Sequence, residues 1–185
     1  MLTRVSAPSA VVSTDEVKRQ INISHNRDDL IISEMIGAAT EYLDGTVGVL
    51  GQFLGSQQWR LTVDCFSVPM RLPIGPLITV DSVKYLDADM VEQTVSPGDY
   101  YTHADDLGPY IRLLPGKAWP SVFARDDAVR VTFTGGSATI PAPIRSAIYM
   151  ITAHLYAHRE LSDTERTFPT GFDLHDLIAP YRRVF

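Results

Sequence analysis

His154 and His158 stand four residues apart in PAPIRSAIYMITAHLYAHREL. On a helix that spacing puts both imidazoles on one side, where they can share a metal ion. The hydrolase pattern needs glutamate directly after the first histidine, and Leu155 stands there instead. His175 supplies a third ligand only if the fold happens to bring it in. The expectation is therefore partly buried or hydrogen-bonded histidines, with His158 on the helix's apolar face. A small metal-dependent hydrolase using His154, His158 and an acidic loop is the competing reading, and metal analysis of the protein separates the two.

Asp105-Asp106 and Asp126-Asp127 fall in predicted loops. Adjacent carboxylates there diverge, and no glycine-punctuated calcium loop surrounds either pair, so solvated turns are expected. Ser137, in GGSAT, lacks the Gly-x-Ser-x-Gly elbow and any evident acid–base partner. Phosphate-binding glycine loops of the Walker and dinucleotide types are absent. Cys65, the only cysteine, allows no internal disulfide and reads as a small residue at the end of a strand. Composition and spacing thus assign no catalytic, cofactor-binding or metal-binding residue.

The 185 residues are enough for one good core, or one core plus a satellite. Apolar residues make up 45%, which supports folding, and the net charge of −6 disfavours gripping nucleic acid phosphates. No apolar run reaches the length of a membrane span, and MLTRVSAPSAVV lacks the apolar core of a secretory signal.

Ile144, Ile148, Ile151, Leu155 and His158 recur at steps of four, three, four and three, which predicts a helix over 141–161 opened by Pro141 and Pro143. The predicted partner is a helix from about 26–29 to 43. Its inward face is read as Leu30, Ile31, Met35, Ala38, Ala39 and Tyr42, with Ile32, Ile36 and Leu43 beside it and Gly45 as the stop. Ser13 and Glu16 spell a capping box for a short helix over 14–21. Residues 1–12 read as an extended arm. Val47 to Gly55 is apolar with three glycines and fits either a helical turn or a loop. A last short helix is expected over 172–182, cut by Pro180.

From Gln57 to Gly135 the period falls to two. Strands are expected near 57–64, 70–72, 78–86 with a bulge at Asp81-Ser82, 91–95, 99–103, 110–114 and 128–134. The fold class is therefore α+β. A helical bundle from 13–56 and 137–185 carries an inserted, mostly antiparallel sheet or small sandwich over 57–136. Trp119 either anchors a partner or caps the sheet core. The basic, aromatic end Tyr181, Arg182, Arg183, Val184 and Phe185 either frays or docks into a neighbour. A generic β-sandwich ligand-binding module is a third reading of the same pattern.

Several short pieces in order carry a resemblance. Thr14-Asp15-Glu16-Val17 and Asp28-Asp29-Leu30-Ile31 open helices, and Gln58-Trp59-Arg60-Leu61, Leu72-Pro73 with Gly75-Pro76-Leu77, and Val80 to Asp87 follow. Asp99-Tyr100-Tyr101, Leu114-Pro115-Gly116 with Trp119-Pro120, Val129 to Gly135, Pro141 to Arg145, His154-Leu155-Tyr156 and Leu177 to Arg182 complete the order. Across most of 14–183 the chain resembles the phage head–tail connector (adaptor) proteins, in the branch that includes a Burkholderia prophage family and gene transfer agent adaptors. Val47 to Gly55 is longer than that family's usual turn.

The resemblance implies a structural protein without enzymatic activity or cofactor. It implies a homo-oligomeric ring, generally twelve-fold, under the portal protein at the particle's head–tail junction. Such a ring extends the DNA channel, lets double-stranded DNA pass without sequence-specific binding, and docks a stopper or tail-terminator protein. Neither the resemblance nor the composition implies a membrane partner. With that role the helical part is expected to make the ring and Tyr181–Phe185 to reach the portal.

Overall fold

The Ser13 capping box forms. Ser13 N–H donates to Glu16 Oε2 at 2.7 Å and Glu16 N–H to Ser13 Oγ at 3.2 Å. The box opens α1 (Thr14–Gln20), and the Ser13 N–H, with the Ser13 hydroxyl donating at 3.0 Å, holds the Glu16 carboxyl below its ordinary pKa. A computed structural model describes residues 1–137, 139–158 and 174–183. The fold is mixed α+β and divides into two units.

The helical unit comprises the described residues of Ala10–Leu54 and Ala138–Val184. It holds α1, α2 (Asp29–Leu43), α3 (Ala142–Ala157) and α4 (Leu174–Ile178), the last continued by a 3-10 turn, Ala179–Tyr181. Helix α2 packs against α3 although a hundred residues separate them in the chain. Ile32, Ile36, Ala39 and Leu43 from α2 share one core with Ile144, Ala147 and Ile148 from α3, closed by Val17, Leu50, Leu54 and Ile178.

The inward face of α2 differs from the predicted one. Leu30, Ile31 and Tyr42 are 73%, 39% and 55% exposed, and Ala38 is exposed as well. The helix carries two neighbouring apolar stripes, and its first turn selects between them. Buried Lys18 donates from Nζ to Asp29 Oδ1 and Asn26 Oδ1, each at 2.7 Å. Asp29 lies on the side of Ile32 and Ile36, three and seven residues on, so this tie turns that stripe inward. Tyr156 Oη donates to Asp28 Oδ2 at 2.6 Å and joins the far end of α3 to the same turn.

On α3 the expected stripe also shifts towards its end. Thr152 is buried, whereas Leu155 and His158 are exposed. The regular helix closes at Ala157 with His158 as C-cap, short of the predicted Leu161; residues 159–161 lie outside the described residues.

The second unit comprises Met1–Ser9 and Gly55–Ser137. Its two antiparallel sheets match the inserted small sandwich in class. The larger has the order β1 (Leu2–Arg4), β2 (Gln57–Val63), β8 (Val129–Gly135), β4 (Leu77–Leu86), β5 (Glu92–Thr94). The smaller is β3 (Met70–Arg71), β7 (Gly108–Leu113), β6 (Tyr100–Asp105). Alternation sorts the faces: Val129, Val131 and Phe133 are buried, while Arg130, Thr132 and Thr134 between them are half-buried. The register of β4 slips between Val80 and Ser82, where a bulge was expected. Strand β1 lies inside the segment read as an extended arm: Leu2, Thr3 and Arg4 pair with Leu61, Arg60 and Trp59. Its three residues are too few to show a period.

Two substitutions test the helical core in opposite directions. Ile148→Ala is expected to lower the unfolding free energy by about 3 kcal/mol, since its side chain is wholly buried. Thr152→Val is expected to raise it by about 1 kcal/mol, because buried Thr152 Oγ1 has no hydrogen-bond partner among the described residues. Urea titration of each variant reads both changes.

Candidate functional site

The chain leaves α2 through a loop that the sequence left open between helix and coil. It contains turns and no helix. Gly45 stops α2 at φ 81°, and a Cβ on Gly48 would run into the Asp44 carbonyl oxygen. Asp44 Oδ1 accepts from Leu54 N–H at 2.6 Å and closes the loop across its base. Val49 and Leu50 N–H donate back to the Tyr42 and Leu43 carbonyls at 3.0 and 3.1 Å.

The carbonyls of Val49 and Leu50 receive the C-terminal tail. Arg183 N–H donates to Leu50 O at 2.9 Å, Arg182 Nε to Val49 O at 3.2 Å, and Gln52 Nε2 to Tyr181 O at 3.1 Å. Tyr181, Arg182 and Arg183 are therefore ordered along the loop, with Arg182 still exposed. Val184 and Phe185, the rest of the proposed contact, lie outside the described residues. The sequence hint was the glycine-spaced stretch itself; nothing in the tail's composition names its seat.

In the β unit, half-buried Trp119 stacks on Phe66 with centroids 4.3 Å apart and planes 2° apart. Phe66 meets Tyr85 edge-on at 6.0 Å. Near this cluster is a groove of about 320 Å³ lined by Tyr85, Val95, Leu113 and Pro120, with the Lys117–Asp99 ion pair at 2.7 Å among its residues. Its walls mix apolar and charged groups. The exposed surface of the small sheet is polar and aromatic: the Arg71 guanidinium lies 5.5 Å from the Tyr110 ring centroid, and His103 meets Tyr110 edge-on.

The residues singled out for chemistry do not converge. His154 and His158 rings are 4.4 Å apart and tilted by 47°, and His158 is exposed rather than on the buried face. His175 is exposed on α4. Among the described residues no group of three histidine, cysteine or carboxylate side chains is placed to hold a metal. Asp105 ends β6 instead of lying in a loop; its carboxylate accepts two 2.8 Å bonds from Arg71 and one of 3.0 Å from Leu107 N–H. Asp127 pairs with Arg125 and Arg130; the Arg130 hydrogen bond, and after it the charge of both guanidiniums, lowers its pKa. Cys65 is an exposed bend residue beyond β2, not a buried strand position, and the Asp64 carboxylate beside it pushes its thiol pKa up. Ser137 follows β8.

No protein-family model matches the chain, and no curated protein matches it. Solved structures do. A chain in the neck of an empty gene transfer agent (GTA) particle computed with C6 symmetry superposes with TM-score 0.77 at 23% identity. One in the virion of a native GTA particle gives 0.76 at 24%, and one in the neck of a native GTA particle computed with C12 symmetry gives 0.75 at 25%. Each match covers 100% of this chain and 96% of the other. The fold defined above is thus shared along the whole chain with chains of GTA particles. Among the described residues no helix is long and apolar enough to cross a membrane.

The Arg71 pair lowers the Asp105 pKa from 3.8 to about 2. A folded-state pKa below the unfolded one adds stability that is present above about pH 4 and lost as pH falls towards 2. Arg71→Met is expected to return Asp105 to the usual aspartate range, read by NMR titration of its carboxyl carbon. An unmoved titration removes the pairing as its cause.

Proposed function

We propose that the chain is a head–tail connector (adaptor) of a tailed phage or gene transfer agent particle. In this reading it assembles as a homo-oligomeric ring, of twelve copies, beneath the portal at the head–tail junction. The ring extends the channel for double-stranded DNA, which passes without sequence-specific contact, and offers a platform to a stopper or tail-terminator protein. The role is structural, with no catalysis, cofactor or membrane. The observation that carries it is the end-to-end match to chains in GTA necks, one of them in a neck computed with C12 symmetry.

The physical properties support this reading. A net charge of −6 favours DNA sliding past over DNA binding. The chemistry-bearing residues are engaged with one another or dispersed, as the Arg71–Asp105 and Arg130–Asp127 pairs illustrate. Within the proposal the helical part, 13–56 with 137–185, forms the ring, and the inserted part, 57–136, faces other neck proteins, with Trp119 and its groove as the contact. The tail Tyr181–Phe185 reaches the portal. Its seat on the loop supports that assignment by holding Tyr181, Arg182 and Arg183 in place with Arg182 exposed.

Imaging of purified particles at the vertex tests the location: density for this chain between capsid and tail is expected, and its placement elsewhere overturns the reading. For the tail, Arg183→Glu keeps its backbone bond to Leu50 and the Arg182 bond to Val49 while reversing a charge. Loss of portal attachment in a pull-down, with an unchanged thermal melt, is the expected outcome. Normal attachment excludes the tail as the portal contact.

A further inference from the structure

Helices α2 and α3 each turn one apolar side to their shared core and keep a second, uncharged stripe outside it. On α2 the outer stripe is Ile31, Met35, Ala38 and Tyr42, at steps of four, three and four. Met35 is half-buried and the other three are exposed. On α3 the corresponding stripe is Ser146, Met150, Ala153 and Ala157, at the same steps, with Ala153 half-buried and the other three exposed. Both run about 16 Å along their helices at 1.5 Å per residue.

The two stripes complement each other. The α2 stripe is bulky, with Ile31, Met35 and Tyr42 standing out. The α3 stripe is low, since three of its four positions are serine or alanine, and a low stripe receives the ridge of a facing helix. Charge sorts the same way. The ionisable groups of α2 other than tyrosine are Asp29, Glu34 and Glu41, all acidic. Those of α3 are Arg145 and His154, with His158 at its C-cap; Arg145 pairs with Glu16 of α1 at 3.7 Å, and α3 itself has no carboxylate.

We propose that the outer stripe of α2 packs on the outer stripe of α3 in a second copy of this chain. The inference rests on the ring reading above and deepens it. A ring needs two different, mutually fitting faces on one subunit, because a face that pairs with itself stops at a dimer. The occupant is a second copy because one chain carries both the bulky face, on a helix with Glu34 and Glu41, and the low face, on a helix without a carboxylate, and because one matched neck was computed with C12 symmetry. Both are held on a single helical unit, so each added subunit presents a fresh α2 stripe.

Cysteine cross-linking in the full chain tests the contact, with Cys65→Ser removing the natural thiol. In that background the double variants Ala38→Cys with Ala153→Cys, and Ala38→Cys with Ala157→Cys, are oxidised and run without reductant. At least one is expected to give a ladder of covalent multimers, while each single variant stays a monomer on the gel. A covalent dimer from Ala38→Cys alone overturns the proposal, because the face would then pair with itself. Absence of a ladder from both double variants, while sedimentation shows the chain oligomeric, overturns the contact and leaves the ring.

Ala38→Arg supplies a second readout. Position 38 is exposed, so the thermal melt is expected to stay unchanged while self-association weakens at least tenfold. Unchanged self-association overturns the proposal. A chain that stays monomeric at every concentration also overturns it as a self-sufficient contact. The number of copies counted in imaged particles then decides the connector reading separately.

Discussion

Contact between α2 and α3 is the constraint on which the helical unit depends. Neither helix can bury its inner stripe within its own turn of chain, and most of the stability of such a helix comes from packing that stripe. Ile32, Ile36, Ala39 and Leu43 find Ile144, Ala147 and Ile148 only after the chain has completed the β unit and returned. Folding of the helical unit therefore includes a long loop closure, whose entropic cost grows only slowly with length. The Tyr156–Asp28 and Lys18–Asp29 bonds then fix which side of α2 faces inward.

Much of this architecture was legible because it rests on local rules. The capping box, the change of period at Gln57, the bulge near Asp81 and the helix opened by Pro141 and Pro143 each follow from a few adjacent residues. What was illegible depends on partners far along the chain. The phase of α2 hangs on Lys18 and Tyr156, which no periodicity within 29–43 encodes. The pairing of Leu2–Arg4 with β2 spans nearly sixty residues. The loop after α2 needs a tail from the other end of the sequence.

The candidate site was partly legible for the same reason. The sequence singled out the basic, aromatic tail and Trp119 as residue types suited to contacts. It gave no sign that Val49 and Leu50 would present their carbonyls to Tyr181–Arg183. The residues suited to chemistry drew attention by type, yet their neighbours decide what they do. Asp105 is engaged by Arg71, Asp127 by two arginines, and Cys65 by the adjacent Asp64. The mis-set α2 stripe was informative in its own way: a pattern regular enough to be taken for a core face is still apolar when it is turned outward.

The tail's seat has a mechanical consequence. Arg183 is bonded to Leu50, and Leu50 in turn to Leu43 in the last turn of α2. Tension applied at the C-terminus thus enters the backbone of α2 directly, by a route that bypasses α4 and the segment before it. Three attachments, at Val49, Leu50 and Gln52, stand along that route.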